Sequence, residues 1–170
     1  MNGFPPTTDL CDAHEALFDS GGLRLLAGGL LAFGARPRFF GAACTIKLFE
    51  DNSLLAQAVK EPGDGRVLVV DAGGSTRCAV LGGNLARHAA DSGWAGVLVF
   101  GAVRDVEEID ACAIGVRALA VTPGRSVKRG EGKRDCLVAL GGVLVRPGDW
   151  VYADRDGVLV STRPLHLPGG

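Results

Sequence analysis

The chain contains two short, uninterrupted apolar runs, Val67-Leu68-Val69-Val70-Asp71 and Gly96-Val97-Leu98-Val99-Phe100-Gly101. Short runs that are rich in β-branched residues are typical of strands buried on both faces of a sheet. Between them, the apolar spacing over 85–93 predicts a helix that begins after Gly82-Gly83-Asn84. A strand, a helix and a second strand within thirty-five residues indicate a βαβ unit, whose crossover we expect to be right-handed.

The rest of the chain extends this unit into an α/β domain. We predict short helices after Thr7-Thr8-Asp9, after Asp51-Asn52-Ser53 and over 106–111, and a strand over 39–49. The last third is β-rich, with strands predicted at 116–121, 136–140, 143–145, 150–152 and 158–160. We therefore expect one compact domain over 1–170, with the βαβ unit at its centre, β-hairpins towards the C-terminus and a flexible tail over about 162–170.

The composition excludes several classes of protein. With 47% hydrophobic and 22% charged residues, the 170-residue chain is neither disordered nor fibrous. Eighteen Lys and Arg residues against nineteen Asp and Glu residues give a net charge of −1, which argues against direct nucleic-acid binding. The most apolar segment, Leu25–Ala35, is eleven residues long and contains three glycines, whereas a membrane span needs about 20 apolar residues. Five scattered cysteines without a C-x-x-C pair argue against disulfides and a zinc ribbon, so we expect a soluble, cytoplasmic protein.

An anion-binding loop is predicted at Gly82-Gly83-Asn84-Leu85, where a helix begins beyond a strand. The glycines let backbone N–H groups approach a ligand closely, and a helix N-terminus carries partial positive charge. A carboxylate or phosphate group would suit such a loop. The same four residues also fit a plain tight turn, and the pattern alone does not separate the two interpretations.

Two charged residues follow the second apolar run. Arg104 can hold a planar carboxylate with paired N–H donors, and Asp105 is a hard oxygen ligand suited to Mg²⁺ or Mn²⁺. Glu108 would lie one helical turn further on, on the same face. The spacing Asp105-x-x-Glu108 is also that of a helix cap, with Asp at the N-cap and Glu at N3. By spacing alone, the cap is the better interpretation for both acids.

A cluster of basic residues lies further along the chain, between Arg125 and Arg134. It falls within a polar segment that contains Gly130 and Gly132, so it is most simply a solvated loop. The same cluster could also dock an acidic partner.

Several blocks of the sequence match one known family, and these blocks are Val67–Ser75, Leu81–Ala86, Gly101–Asp105, Leu140–Val143 and Tyr152–Gly157. The most specific match is a pattern of a glycine, any twenty residues, Arg-Asp, any two residues and an acid. In this chain Gly83, Arg104-Asp105 and Glu108 occupy its fixed positions. With these matches the chain resembles the RraA-like family over nearly its whole length. That family comprises the regulator of ribonuclease activity A and class II aldolases that cleave 4-hydroxy-4-methyl-2-oxoglutarate. One departure is Gly83, because the longer aldolases carry an acid there.

The resemblance implies a β/β/α swivelling-type fold and homotrimers, which in some members pair into hexamers. It also implies that Asp105 ligates a divalent metal cation, Mg²⁺ or Mn²⁺, and that Arg104 contacts the substrate. Backbone groups of Gly82, Gly83, Asn84 and Leu85 would hold a substrate carboxylate, and Glu108 would lie beside the metal without binding it.

The activity implied by the resemblance is cleavage of 4-hydroxy-4-methyl-2-oxoglutarate to pyruvate, together with decarboxylation of oxaloacetate. Both reactions leave a pyruvate enolate, which a chelated divalent ion stabilises as a Lewis acid. Arg104 and Asp105 are the expected catalytic residues, and a water ordered by Glu108 is the candidate for moving the proton.

A second hypothesis is a protein without catalytic activity that binds a ribonuclease or helicase and inhibits ribonuclease activity. The Arg104-Asp105 pair is intact, which favours the enzyme, whereas the basic segment 125–134 keeps the regulatory interpretation open. Sequences of this kind have also been labelled menaquinone methyltransferases. The chain lacks a glycine fingerprint for a methyl donor, and it has no G-x-G-x-x-G or phosphate-loop motif, which argues against nucleotide cofactors.

Overall fold

The structure is a computed structural model that describes residues 3–26 and 28–167. The helices in these residues are α1 (Thr7–Ala13), α2 (Glu15–Asp19), α3 (Ser53–Ala58), α4 (Gly83–Asp91) and α5 (Val106–Asp110). The strands are β1 (Leu23–Leu26), β2 (Leu31–Phe33), β3 (Phe39–Lys47), β4 (Val67–Asp71), β5 (Ala79–Leu81), β6 (Gly96–Val103), β7 (Gly115–Val121), β8 (Lys133–Arg134), β9 (Val138–Leu140), β10 (Val143–Val145), β11 (Trp150–Ala153) and β12 (Val158–Ser161). Of the helices described, none is long and apolar enough to cross a membrane.

Ten of these strands form one mixed sheet, and β9 and β10 form a separate hairpin. The main path through the sheet is β1-β12-β11-β3-β4-β6-β7-β2, with β5 paired to β6 and β8 paired to β3. Its centre, β3-β4-β6-β7, is parallel, as is the pair of β5 and β6. The predicted βαβ unit is confirmed, since β4 and β6 are parallel neighbours and α4 lies between them in the chain.

Strand β4 is buried on both faces because different elements cover its two sides. Leu68 and Val70 belong to the apolar cluster that contains residues of α3 and α4. Val67 and Val69 belong to a second cluster, which contains residues of β9, β10, β11 and β12. Successive side chains of a strand point to opposite faces, so an uninterrupted apolar run is what a strand between two such layers requires.

Two strands near the N-terminus were not foreseen in the sequence. β1 pairs antiparallel with β12, and β2 pairs antiparallel with β7, so both lie at edges of the sheet. Leu25 and Leu31 within them are nearly half exposed. Gly28, Gly29 and Gly34 all have positive φ and interrupt the segment. Strands of three or four residues separated by such turns leave no readable period in the sequence.

The two ends of the described chain also differ from expectation. The predicted N-terminal helix is divided into α1 and α2 at His14, which has φ −128° and ψ 37°. Residues 162–167, part of the predicted flexible tail, pack against the sheet: Leu165 is buried and its N–H donates to the Tyr152 hydroxyl at 2.7 Å. The remaining tail residues, 168–170, lie outside the described residues.

Candidate active site

The helix-opening loop Gly82–Leu85 and the Arg104-Asp105 pair lie side by side at one edge of the sheet. β5 ends at Leu81 and β6 ends at Val103, and these two residues are paired in the parallel ladder. The Arg104 N–H donates to the Leu81 carbonyl at 3.0 Å, and the Gly83 N–H donates to Asp105 Oδ2 at 3.2 Å. Because parallel strands end at the same edge, ligands of such sheets bind there. The fold thus joins the two predicted loops into one site.

Asp105 has an unusual backbone conformation and does not act as a helix cap. It occupies the N-cap position of α5 with φ 57° and ψ 46°, in the left-handed region, where a non-glycine residue costs about 1 kcal/mol or more. Its side chain makes no capping hydrogen bond, so the capping interpretation of Asp105 is wrong. The carboxylate instead accepts the Gly83 N–H, and Arg104 Nε lies 3.9 Å from its Oδ2.

Glu108 lies against the first turn of α4 rather than inside the site. Its side chain is 56% exposed, and its Oε2 is 4.0 Å from Nη2 of Arg87. Among the hydrogen bonds of the described residues, none joins its carboxylate to the N–H of the N-cap residue Asp105, as a capping box requires, so the capping interpretation is wrong for this acid as well. Glu108 does not line the cavity formed by the two loops.

The two glycines of the loop are required by the close approach of the two acids. A Cβ on Gly82 would lie 2.8 Å from Asp105 Oδ2. A Cβ on Gly83 would lie 2.6 Å from the Glu108 Cβ and 2.9 Å from its Cδ. All three distances are shorter than real Cβ contacts, so a side chain at either position would displace an acid.

The N-terminus of α4 presents backbone donors to the cavity. Gly82 is the N-cap in an extended conformation, and its carbonyl accepts the first intrahelical bond, from the Ala86 N–H at 3.0 Å. The N–H groups of the first helical turn, including those of Asn84 and Leu85, therefore have no partner within the helix. Both residues line the cavity. Partial positive charge and free donors at a helix N-terminus suit a carboxylate, so this geometry supports the anion-binding interpretation.

The cavity has a volume of about 230 Å³, which suits a small acid, and more than the predicted residues line it. Besides Gly82, Asn84, Leu85, Arg104 and Asp105, its walls include Asn52, Arg125, Ser126 and Lys128. The last three come from the segment that the sequence predicted to be a solvated loop. Their contribution was missed because no local pattern indicates where a polar loop will lie in the fold.

Buried Asp51 fixes this basic loop in place. Its Oδ2 accepts the Arg129 N–H at 2.6 Å and the Glu131 N–H at 3.3 Å, and its Oδ1 accepts the Ser53 N–H at 2.8 Å. Burial by itself raises the pKa of Asp51, but the hydrogen bonds from Ser53, Arg129 and Glu131 outweigh it and lower the pKa to about 2. The Val127 N–H, donated to the Glu50 carbonyl at 3.0 Å, adds a backbone contact. The loop is therefore anchored beside the site.

The residues present fit a divalent cation that takes few ligands from the protein. Within residues 3–26 and 28–167, there is no group of three or more His, Cys, Asp or Glu side chains that could hold a metal together. Mg²⁺ is commonly bound by one or two carboxylates, with water and substrate oxygens filling the other positions. Asp105, half-exposed at the cavity, is a carboxylate donor of that kind.

Comparison with known proteins gives a consistent family. The family model for RraA-like proteins, described as Aldolase/RraA, matches residues 7–160 of this chain. A protein of Cupriavidus necator, provisionally named 4-hydroxy-4-methyl-2-oxoglutarate aldolase, is 54% identical to it over 161 residues. The matched region covers 95% of this chain and 98% of that protein.

Two solved structures have the same fold. The RNA-processing inhibitor RraA from Thermus thermophilis has a TM-score of 0.89 and 46% identity, covering 98% of this chain and 96% of that one. A Geobacillus kaustophilus HTA426 structure, described as S-adenosylmethionine:2-dimethylmenaquinone methyltransferase, has a TM-score of 0.91 and 40% identity, covering 98% and 100% respectively. These similarities confirm the predicted α/β fold. Together with the match over residues 7–160, they show that the chain belongs to the RraA-like family.

Proposed function

We propose that the protein is a divalent-metal-dependent lyase that cleaves 4-hydroxy-4-methyl-2-oxoglutarate to pyruvate and also decarboxylates oxaloacetate. One observation carries the proposal: the Asp105 carboxylate, the Arg104 guanidinium and the N-terminus of α4 face a single small cavity. These are a cation ligand, a fixed positive charge and an anion-binding helix end, which a 2-oxo acid can engage together. The name of the Cupriavidus necator relative supports the choice of substrate.

The chain's own groups bind and orient the 2-oxo acid. Backbone N–H groups of Asn84 and Leu85 would donate hydrogen bonds to its carboxylate at the start of α4. Arg104, whose side chain is 38% exposed, would donate to the oxygens on which negative charge develops. The Gly83 N–H holds the Asp105 carboxylate towards this end of the cavity. Preorganised donors of this kind lower the barrier because they need no rearrangement during the reaction.

The bond changes in both reactions are compatible with this arrangement. In the aldol cleavage, water takes the proton of the 4-hydroxyl and a carbonyl forms at C4 as the C3–C4 bond breaks. The electron pair of that bond moves towards the 2-oxo oxygen, and C3 then takes a proton from water. In the decarboxylation, the bond to the departing CO₂ breaks in the same way. A divalent cation bound by Asp105 would supply Lewis-acid polarisation of the 2-oxo oxygen. Arg104 would stabilise the same developing charge from the protein side.

The test is release of pyruvate from 4-hydroxy-4-methyl-2-oxoglutarate and from oxaloacetate, with Mg²⁺ and with EDTA. We expect activity that EDTA abolishes, and a loss of about 100-fold or more in Asp105→Asn, because partners outside the coordination sphere alone are worth about 10–100-fold. Asp64→Asn is the matched control, since Asp64 is also exposed with positive φ but does not line the cavity. Full activity of Asp105→Asn with Mg²⁺ present would contradict the site assignment.

Lys128 makes a second measurement necessary, because it brings an amine to the cavity wall. An amine could in principle form a Schiff base with pyruvate, which would remove the need for a metal. We expect treatment with pyruvate and borohydride to leave the mass of the protein unchanged. A stable adduct on Lys128, together with activity in EDTA, would replace the metal-dependent mechanism with an amine-dependent one.

A second candidate function is regulation of a ribonuclease through protein–protein binding. It is favoured by the similarity to the RNA-processing inhibitor from Thermus thermophilis, at 46% identity. Two measurements on the purified chain distinguish the two functions: its lyase activity and its inhibition of an endoribonuclease. Inhibition that survives in Asp105→Asn, with no pyruvate release by the unaltered protein, would establish regulation in place of catalysis.

A further inference from the structure

The hydroxyl of Tyr152 holds the segment that follows β12 against the sheet. The Tyr152 side chain is fully buried, and its hydroxyl accepts the Leu165 N–H at 2.7 Å. The same hydroxyl oxygen lies 2.9 Å from Nδ1 of His166. The Leu165 side chain is buried in the apolar cluster that contains Tyr152. Residues 162–167, called the strap from here on, therefore depend on this one hydroxyl for two of their contacts.

The hydrogen bonds of this hydroxyl fix the protonation state of His166. A tyrosine hydroxyl has one proton to donate, and this one accepts the Leu165 N–H as well. Among the hydrogen bonds of the described residues, His166 Nδ1 is the acceptor that remains for the hydroxyl proton. That nitrogen accepts only when it carries no proton, so the docked ring is neutral with its proton on Nε2. A doubly protonated ring would leave a buried hydroxyl without an acceptor, which is costly.

The groups that face His166 do not compensate a positive charge on its ring. β3 presents Phe40, with the ring centroids 4.8 Å apart, and β11 presents Trp150 at 4.7 Å and Tyr152 at 6.0 Å. Tyr152 is the titratable group among these three, and burial raises its pKa, so it is neutral at and below pH 7. The strap itself carries Arg163, which is exposed. Burial lowers the pKa of His166, and no charged side chain among the described residues contributes to this shift.

We propose that the strap is a pH-sensitive closure, which stays on the sheet while His166 is neutral and leaves it when His166 is protonated. Because the docked form is the neutral one, the strap contributes its full stability above pH 6.5 and loses it as the pH falls through the lowered pKa of His166. Release uncovers the aromatic rings of Phe40, Trp150 and Tyr152. The strap does not line the cavity beside Asp105, so the closure is independent of the proposed lyase function.

An NMR titration of the intact chain tests the closure, and Tyr152 gives an unambiguous signal because it is the single tyrosine. Nitrogen spectra of the imidazole should show His166 neutral with its proton on Nε2, and titrating below pH 6.5. The Tyr152 ring signals should move with the same titration. Hydrogen exchange at the Leu165 amide, corrected for its intrinsic rate, should accelerate about tenfold or more through it. Amides of β12 are the internal control and should keep their protection.

Two variants separate the titration from the docking. His166→Asn keeps a side-chain acceptor but does not titrate, so exchange at Leu165 should no longer depend on pH, whether or not the strap stays docked. Tyr152→Phe removes the shared hydroxyl, so Leu165 should exchange rapidly at every pH. His88→Asn is the matched control and should behave as the unaltered protein, because His88 lies exposed on α4, whose buried residues belong to a different apolar cluster.

Three results would overturn the closure. The first is exchange at Leu165 that does not change with pH in the unaltered protein. The second is a pH dependence that survives in His166→Asn. The third is a His166 that titrates above pH 6.5, which would mean that the surrounding aromatic rings attract its charge and that protonation tightens the strap.

Discussion

Replacement of Gly83 by alanine tests the packing of α5 against the start of α4. Gly83 is the first residue of α4, and alanine normally stabilises a helix by up to about 1 kcal/mol relative to glycine. The added Cβ would lie 2.6 Å from the Cβ of Glu108, which is fixed to the backbone and cannot rotate away. α5 would therefore have to move, and with it the Asp105 backbone at its N-cap.

The expected magnitude follows from these opposing terms. Insertion of a methyl group into a close-packed contact costs about 1–3 kcal/mol. This packing cost exceeds the gain in helix propensity. We therefore expect Gly83→Ala to lower the free energy of unfolding by about 1 kcal/mol or more. The corresponding change at Gly82 meets Asp105 Oδ2, the far end of a flexible side chain, at 2.8 Å. Gly82→Ala should therefore reduce lyase activity while leaving stability nearly unchanged.

The assay is urea unfolding followed by circular dichroism, at one protein concentration for all variants because association changes apparent stability. Glu108→Gly removes the opposing Cβ, so Gly83→Ala should become neutral or stabilising in that background. The cycle should give a coupling of about 2 kcal/mol between the two positions. A Gly83→Ala protein that is more stable than the unaltered one would refute the argument from packing, as would a coupling near zero.

Three further results are expected. Asp51→Asn should loosen the basic loop and change the acid stability of the protein. Hydrogen bonds hold the pKa of Asp51 near 2, against an ordinary 3.8, so its carboxylate stabilises the fold fully above pH 3.8 and loses that effect as the pH falls through 2. Acid unfolding curves of the variant should therefore lack this component. Leu165→Ala should cost about 2–4 kcal/mol in chemical unfolding if residues 162–167 are part of the core, and a change below 0.5 kcal/mol would show that they are not. The family resemblance implies a homotrimer; light scattering should report one, and a monomeric protein would contradict that expectation.

Local sequence was sufficient for the centre of the fold and for half of the site. The uninterrupted apolar runs of β4 and β6 predict strands between two layers, and the chain immediately after such strands lies at the ligand-binding edge of a parallel sheet. The position of Arg104-Asp105 follows from that rule, whereas the Gly82–Leu85 loop follows β5, a three-residue strand that was not predicted. The edge strands β1 and β2 could not be predicted, because glycine turns leave each too short to show a period.

What the sequence could not decide depends on contacts between distant residues. The Asp105-x-x-Glu108 spacing fits a helix cap. In the folded chain, however, the Asp105 carboxylate accepts the N–H of Gly83, twenty-two residues earlier in the chain, and lies at the cavity instead. The basic loop reads as solvated, and the Asp51 carboxylate, seventy-eight residues before Arg129, holds it at the cavity wall. Periodicity and strand ends are local properties that a chain displays before it folds. The orientation of a carboxylate depends on partners that only the folded chain brings within hydrogen-bonding distance. The position of a polar loop depends on such partners as well.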